Sequence, residues 1–368
     1  MRGGIITTQL DGPPTGPERY LRELCERLPA AAPDIDWVFI HHERTDDSIY
    51  HNPAVDEALV SRIPGMFERE ISALNLNFVH YNYIPYRRPW FLALDIPTVI
   101  TVHGDLPYTL PEYVSARRRY IEKPMVKMLA KCGLLTNVDF FITVSNSTVK
   151  ILRDVFAVSR DKFEVIPHGV DEKFSPVGGT ASHVPSSYFL FVGNASPVKN
   201  LETTVRALAL LADRGVSPPP LLVAGEGWHT SEAADLAEKL AVDDRVQFLG
   251  PVDNDALPAL YRGALAYVNP SRHETFGLTN LEAMACGCPV VTTSQYGIPE
   301  VVDNAAVMFA DPDDFQELSR QLHELMTSPA RRDTLSKAGL ERAATFSWDR
   351  AVNATVSVYR RAADTHSA

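Results

Sequence analysis

Cysteine is scarce in this chain: four in 368 residues, at Cys25, Cys132, Cys286 and Cys288. So few and so scattered, they make no disulfide framework, and Cys286-Gly-Cys288 has no second Cys/His pair at matching spacing to complete a metal site. Buried small side chains are their expected role, and no metal is expected. Long apolar runs are missing too. None approaches 18 residues, so no segment is expected to span a membrane. The amino-terminal strand-like run is soon broken by Gln9, Asp11 and Gly12, which is no signal-peptide pattern, and the expected location is cytoplasmic. Basic charge is also in deficit. The net charge is -11, with 20 basic against 23 acidic residues in 1–179 and 15 against 23 in 180–368, so no nucleic-acid partner is expected. After the first strand there is neither a G-x-G-x-x-G nor a G-x-x-x-x-G-K-[ST] loop, which removes dinucleotide and ATP readings there.

What is present is a long globular chain, 45% hydrophobic and 22% charged, of a length that suits two domains. Short apolar runs alternate with amphipathic helices. Strands are expected at Gly4–Thr7, Trp37–His41, Phe78–Tyr81, Thr98–His103, Phe140–Val144 and Phe163–Ile166, with helices around 17–28, 111–131 and 146–155. A stretch poor in apolar residues, 176–187, reads as a linker. The pattern then restarts: strands at 188–192, 221–224, 246–249, 264–268 and 289–292, helices at 201–213, 231–240 and 278–286, then three helical patterns around 312–327, 330–344 and 347–363. Continuous apolar strands separated by helices indicate parallel sheets covered on both faces. The expected division is 1–175, a linker at 176–187, 188–345, and a final helix in 346–368.

The most informative stretch is Glu274-Thr-Phe-Gly-Leu-Thr-Asn-Leu-Glu282, followed by Ala-Met-Ala-Cys-Gly-Cys-Pro-Val-Val. Glu274 precedes a helix and Glu282 lies a little over one turn inside it. Between them Phe276, Gly277, Leu278 and Thr279 surround a helix start whose N–H groups have no helical acceptor, a natural anion site. Gly277 lets a ligand approach closely. Carboxylates beside such a site are tolerable when they accept hydrogen bonds from neutral hydroxyls, as sugars and riboses offer. Upstream, Gly193-Asn-Ala-Ser-Pro-Val-Lys199-Asn200 joins a strand to a helix. Asn200 reads as its N-cap and places Lys199 where a cation is disfavoured unless an anion sits there.

These segments resemble the E-x7-E signature and the G-x-x-x-P-x-K-N loop of retaining glycosyltransferases of the GT-B fold, family four of the sequence classification. The resemblance runs from the Gly16 loop to the Trp348 helix. It implies an α/β architecture of two Rossmann-like domains with parallel sheets facing across a cleft, and a C-terminal helix crossing back to the first. It implies a hexose of mannose or glucose type, carried on GDP or UDP and transferred with retention to a glycan or lipid-linked glycan, without a metal or other cofactor. Glu282 would bind ribose hydroxyls, Glu274 the donor sugar and Lys199 the diphosphate. Gly225, Glu226 and Val252 lie in strand-end loops that flank the base in relatives, and Asn194 stands where many relatives carry Arg. In the first domain Gly16 belongs to the family's first glycine loop. His103, in Thr101-Val-His-Gly-Asp105, matches a strand-end sugar contact, and His168-Gly-Val-Asp171 reads as a domain-boundary turn. Arg272 and His273 read equally as phosphate contacts or as surface. A nucleotide-sugar epimerase on the same fold and a two-lobed sugar-binding protein are the alternatives. The first would need a set of groups suited to proton abstraction and the second a secretion signal.

One basic segment stands out in an acidic chain. Residues 112–131 carry Arg117, Arg118, Arg119, Lys123, Lys127 and Lys131 against Glu112 and Glu122. A solvated helix face, contact with an anionic membrane, and docking of a phosphorylated acceptor all fit this composition. Pro124 should kink or break the helix.

Overall fold

The computed structural model describes residues 1–10, 16–84 and 94–365. It divides into two compact units, Met1–Gly169 with Ser347–Ala368, and Val170–Phe346. Part of the first glycine loop, 12–15, lies outside the described residues.

The first unit runs β1 (Arg2–Ile6), α1 (Gly16–Ala31), β2 (Asp36–His41), β3 (Val55–Leu59), α2 (Met66–Ala73), β4 (Phe78–Tyr81), β5 (Thr98–Val102), α3 (Leu106–Thr109), α4 (Lys123–Lys131), β6 (Phe140–Thr143), α5 (Asn146–Phe156) and β7 (Phe163–Val165). Its seven strands are parallel, in the order β3-β2-β1-β4-β5-β6-β7. Val79, Val99, Ile100, Phe141 and Ile142 are fully buried because helices cover both faces of the sheet. The strand β3 and the helix α2 are additions to the sequence-based expectation. The strand is a charged edge, Val-Asp-Glu-Ala-Leu, whose carboxylates discourage pairing with another chain and mask its apolar alternation.

The 111–131 segment departs from a single helix broken at Pro124. A 3-10 turn at Pro111–Tyr113 is followed by a π-helical turn at Arg118–Glu122, in which the Lys123 N–H reaches back to the Arg118 carbonyl. Pro124 then sits in the first turn of α4. Widening the helix just before a proline relieves the clash its ring makes with the preceding turn, so the chain continues where a break is expected.

The second unit runs β8 (Phe189–Val192), α6 (Leu201–Asp213), β9 (Leu221–Ala224), α7 (Glu232–Lys239), β10 (Val246–Gly250), α8 (Leu257–Gly263), β11 (Ala266–Asn269), α9 (Leu278–Ala285), β12 (Val290–Thr293), α10 (Ile298–Val302), β13 (Val307–Phe309), α11 (Phe315–Thr327) and α12 (Pro329–Ala343). Six parallel strands lie in the order β10-β9-β8-β11-β12-β13. The helix α6 packs Leu201, Val205 and Leu208 inward, all fully buried. Polar N-caps start the later helices. Asp314 accepts from the Glu317 N–H at 2.9 Å, and Ser328 from the Arg331 N–H at 3.3 Å. Residues of the 176–187 stretch are held by this unit, since Arg262 Nε donates to the Gly179 carbonyl at 2.9 Å. Cys286 and Cys288 are buried, free thiols.

The last helix, α13 (Trp348–Thr365), belongs to the first unit and packs along α1. Its Trp348, Val352, Val356 and Tyr359 are buried, each contributing about 1.5–3 kcal/mol by leaving water. Tyr359 stacks on Phe78 at 4.6 Å. Its hydroxyl lies 2.7 Å from His80 Nδ1, and His80 Nε2 lies 2.8 Å from Thr101 Oγ1. A histidine is thus sealed between the sheet and the returning helix.

Burial pushes His80 down to about 3, against ~6.5 in an unfolded chain. Protons therefore bind the unfolded state more readily. The stability held by keeping His80 neutral is complete above about pH 7 and is lost as pH falls through 6.5 toward 3, at about 1.4 kcal/mol per pH unit. The urea midpoint of the first unit should fall between pH 6.5 and 4.5, and His80→Gln should flatten that slope. An equal slope in the variant would assign the loss to other groups.

Candidate functional site

In the second unit β8 and β11 are neighbours, but the strands following β8 extend the sheet one way and those following β11 the other. Loops leaving the two carboxyl ends therefore diverge and open a crevice at the reversal. Lys199 comes from the loop after β8 and Glu274 from the loop after β11. Lys199 Nζ donates to Glu274 Oε1 at 2.7 Å, and Ser271 Oγ donates to the same oxygen at 3.1 Å. The lysine and glutamate side chains keep 27% and 16% of their surface exposed, so a ligand can reach both.

Neighbouring loops form a layer around this pair. Asn194 Oδ1 accepts the Glu226 N–H at 3.0 Å, the Ala195 N–H donates to the Glu226 carbonyl at 2.8 Å, and the Gly225 N–H donates to the Gly250 carbonyl at 2.8 Å. Gly225 has φ +143°, and a Cβ there would fall 2.0 Å from the Gly193 oxygen, so no other residue fits. Gly193, Asn194, Gly225 and Glu226 are thus knitted together, with Asn194 as the clamp, and the half-buried Val252 follows β10 close by in sequence.

Gly277, left-handed at φ +87°, turns the chain into α9. The Phe276 side chain points into the core, edge-on to Phe346 at 5.9 Å, and Thr279 Oγ1 accepts from the Tyr267 hydroxyl at 2.7 Å. Backbone N–H groups of Gly277, Leu278 and Thr279, rather than the side chains of Phe276 and Thr279, are therefore what an anion meets, with Leu278 opening the first turn. Glu282 is only 2% exposed, far more enclosed than Glu274, and the Tyr261 hydroxyl donates to its Oε2 at 3.3 Å.

Asn200 stands at the N-cap position of α6 as expected, but its side chain does not cap a backbone N–H. It is left-handed at φ 55°, and its amide donates to the Pro270 and Pro312 carbonyls at 3.1 and 2.7 Å. A fully buried amide satisfies fixed carbonyls here instead of the helix end, and Lys199 lies in the 3-10 turn Pro197–Lys199 that precedes it. Arg272 is structural: it donates to the Pro197 carbonyl at 2.8 Å and pairs with Asp313. His273 is buried against Tyr296. Asp-x-Asp triplets beginning at Asp34, Asp253 and Asp311 are taken up locally. Asp34 pairs with Arg360 at 2.9 Å and Asp255 with Lys173 at 2.9 Å, and Asp311 accepts the Asp313 N–H at 3.0 Å.

The sheet of the first unit reverses between β1 and β4. Gly16 opens α1 and is exposed, and a Cβ added there meets nothing described within 4 Å, so internal packing does not demand glycine. His103 follows β5. Its Nε2 lies 2.6 Å from Asn82 Oδ1, while Asn82 Nδ2 donates to Gln9 Oε1 at 2.5 Å and to the Pro17 carbonyl at 2.9 Å. The proline carbonyl can only accept, which fixes the amide orientation and makes His103 Nε2 the donor. Burial, then His168 and His80, hold His103 well below the usual histidine range, so it is a neutral ring. His168 lies stacked against His103 at 5.9 Å, and burial pushes it down to about 3.

Ser271 and Asn82 were missed from sequence. Each stands just beyond the carboxyl end of a parallel strand, the position that marks them.

Residues 180–342 match the family model described as glycosyl transferases group 1, and residues 14–174 the model described as glycosyltransferase family 4. The chain is 30% identical to the O-antigen chain mannosyltransferase B of Escherichia coli, over 97% of this chain and 98% of that one. It is 29% identical to the D-inositol 3-phosphate glycosyltransferase of Salinispora arenicola, over 80% and 71%. Among solved structures it is similar to a sucrose-phosphate synthase from Thermosynechococcus elongatus, at TM-score 0.73 and 23% identity over 98% of both chains. The Anabaena protein HepE, in complex with UDP and glucose, aligns at TM-score 0.73 and 17% identity over 100% of both.

Gly297 tests the Glu274 loop without touching its chemistry. Its N–H donates to the Glu274 carbonyl at 2.9 Å, and an added Cβ would fall 2.0 Å from the Thr275 oxygen. Gly297→Ala must displace the loop at a cost of about 1–3 kcal/mol. It should also separate Glu274 from Lys199, with a loss of turnover of about tenfold or more. Thermal unfolding and initial rates check this; a folded variant with wild-type turnover would contradict it.

Proposed function

The chain belongs to the group 1 glycosyltransferases of the GT-B fold, and on that premise we propose that it moves a hexose from a nucleotide diphosphate to an acceptor hydroxyl with retention at the anomeric carbon. The observation that carries this reading is the meeting of Lys199 and Glu274 at the strand-order reversal of the second unit, beside the first turn of α9. The hexose is of mannose or glucose type on GDP or UDP, and the acceptor is a glycan or lipid-linked glycan. The mannosyltransferase similarity supports mannose, and the likeness to a protein solved with UDP and glucose is compatible with a nucleotide-sugar donor.

In the reaction the bond from the anomeric carbon to the diphosphate breaks as the acceptor oxygen bonds that carbon on the same face. The departing phosphate oxygen takes the acceptor proton. Negative charge grows on the leaving group, so preorganised positive charge there lowers the barrier most. Lys199 and the N–H groups of Gly277, Leu278 and Thr279 supply it. Glu274 accepts hydroxyls of the donor sugar, with Ser271 fixing its orientation, and Glu282 accepts those of the ribose. The loops of Gly225, Glu226 and Val252 flank the base. In the first unit, neutral His103 offers a sugar contact beside the Gly16 loop. No step calls for a metal.

Among the described residues no helix is long and apolar enough to cross a membrane. The enzyme is read as cytoplasmic, with peripheral contact to anionic membrane through 112–131. Tyr120, Ile121 and Met128 are 67%, 54% and 46% exposed, and Arg119, Lys123, Lys127 and Lys131 surround them in sequence. Each cation near an anionic bilayer contributes about 1 kcal/mol.

Lys199→Ala should lower turnover by roughly a hundredfold or more, while Glu282→Ala should chiefly raise the donor KM. Activity should survive EDTA. Incubation with GDP- and UDP-linked mannose and glucose, scoring slow hydrolysis without acceptor, identifies the donor. Consumption of none of them, or losses confined to turnover in both variants, would sink the assignment. For the membrane, co-sedimentation with anionic liposomes should be weak and abolished by 0.5 M salt, where the Debye length is roughly 4 Å. Charge reversal at Arg119, Lys127 and Lys131 should remove it. Equal pelleting of wild type and variant would leave a merely solvated basic face.

A further inference from the structure

Tyr296 stands between β12 and α10 with φ 49°. Left-handed backbone brings the β-carbon against a carbonyl oxygen, so glycine and asparagine are at home there and bulky residues are outliers. Among the described residues six non-glycines have positive φ, and Tyr296 is the only aromatic one of them. Strain of this kind persists where the surroundings over-determine it, and it gathers at functional sites. Both flanks of Tyr296 are held. The Ser294 N–H donates to the Phe309 carbonyl at 2.9 Å and Gln295 Nε2 to the Ala310 carbonyl at 2.6 Å, while the Gly297 N–H donates to the Glu274 carbonyl at 2.9 Å.

The loop after β12 is tied to the loop after β11 in three places. Thr293 Oγ1 donates to the Ser271 carbonyl at 2.7 Å, the rings of Tyr296 and His273 lie 4.1 Å apart, and Gly297 holds the Glu274 carbonyl. Ring contact is therefore the tie at the middle of the segment. His273 is 6% exposed, with the half-buried Tyr296 against it, and it adjoins Glu274 in the chain.

We propose that Tyr296 is a positioning residue for the donor-sugar carboxylate, its strained backbone setting a ring against His273 that fixes the stretch from which Glu274 reaches Lys199. The proposal rests on the transferase reading above and adds a residue that acts through Glu274 without touching the donor.

The geometry at Glu274 explains why its backbone must be fixed. Lys199 Nζ at 2.7 Å and Ser271 Oγ at 3.1 Å both donate to Oε1, which turns Oε2 toward a ligand hydroxyl. A glutamate has enough rotatable bonds to reach Lys199 from several backbone positions, but few of them also keep Ser271 on the same oxygen. Misplacement of a reacting or orienting group by about 1 Å can cost turnover by a hundredfold.

Acceptor-free hydrolysis of GDP- and UDP-linked mannose and glucose by the full chain tests this in a double-mutant cycle. Tyr296→Asn removes the ring at a position where asparagine is tolerated. It should lower kcat by about tenfold, with the donor KM within about threefold because the ribose and diphosphate contacts remain. Tyr296→Phe keeps the ring and should recover most of the loss. In a Glu274→Ala background the asparagine should cost nothing further, since the group it misplaces is gone. General destabilisation would lower the rate in both backgrounds, so a loss that persists in Glu274→Ala overturns the proposal. Wild-type kcat in Tyr296→Asn, or no recovery with phenylalanine, overturns it as well. A wild type that consumes none of the four nucleotide sugars overturns the transferase reading and this role with it, whereas the variant outcomes overturn this role alone.

Discussion

Crossovers between parallel strands are right-handed, so the side of the sheet a helix covers depends on the direction in which the next strand is added. Each sheet here changes direction once, between β1 and β4 in the first unit and between β8 and β11 in the second. At that point neighbouring loops must part, leaving a crevice that no helix fills. Lys199 and Glu274, 75 positions apart, come together for this reason alone. Gln9, Asn82 and Pro17 meet for the same reason in the other unit. The chemistry is placed by topology, and the side chains are refinements upon it.

The two crevices use opposite electrostatic strategies. In the second unit a lysine and a glutamate are paired but only partly buried. Neither bears the full desolvation cost of an interior charge, and each retains enough exposure to exchange its partner for a ligand. A diphosphate can take the lysine while sugar hydroxyls take the carboxylate, and charge balance survives the exchange. In the first unit three inner histidines are neutral. His80, His103 and His168 are all held uncharged by burial, and the amide of Asn82 settles which nitrogen of His103 carries its hydrogen.

Long apolar strands and the glutamate-bearing helix were legible because their periodicity reflects burial on both sides. Expectation and structure agree on β4, Phe78–Tyr81, and on β9, Leu221–Ala224. The edge strand β3 was not legible, since Asp56 and Glu57 erase the apolar run that marks a central strand. Asn200 holds the N-cap position of α6 as expected, but what its side chain binds was not legible. Its spacing from α6 is that of a cap, but its partners, the Pro270 and Pro312 carbonyls, are 70 and 112 positions away. Asn82 shares the difficulty, since Gln9 and Pro17 lie 73 and 65 positions away, whereas Ser271 binds Glu274 only three positions on and carries no pattern of its own. Local rules read local partners, and a site assembled at a strand-order reversal is made mostly of distant ones.

Pro124 shows how local strain becomes geometry. A proline ring cannot sit in the middle of a regular helix without clashing with the turn before it. Here the clash is relieved by one π-helical turn, Arg118–Glu122, rather than by a break. A wider turn changes the angular spacing of successive side chains, which in a regular helix is about 100° per residue. Arg118 and Glu122 line a cavity at the carboxyl ends of the central strands of the first sheet, and Arg118, like Arg119, Tyr120 and Ile121 in the same turn, is also exposed. Had the helix ended at the proline, α4 would have lost the continuity that sets Val126 against the same cavity wall. A regular helix would have placed the arginines on a different arc. The π-turn thus gives one short basic segment both a face toward the cavity and a face toward solvent.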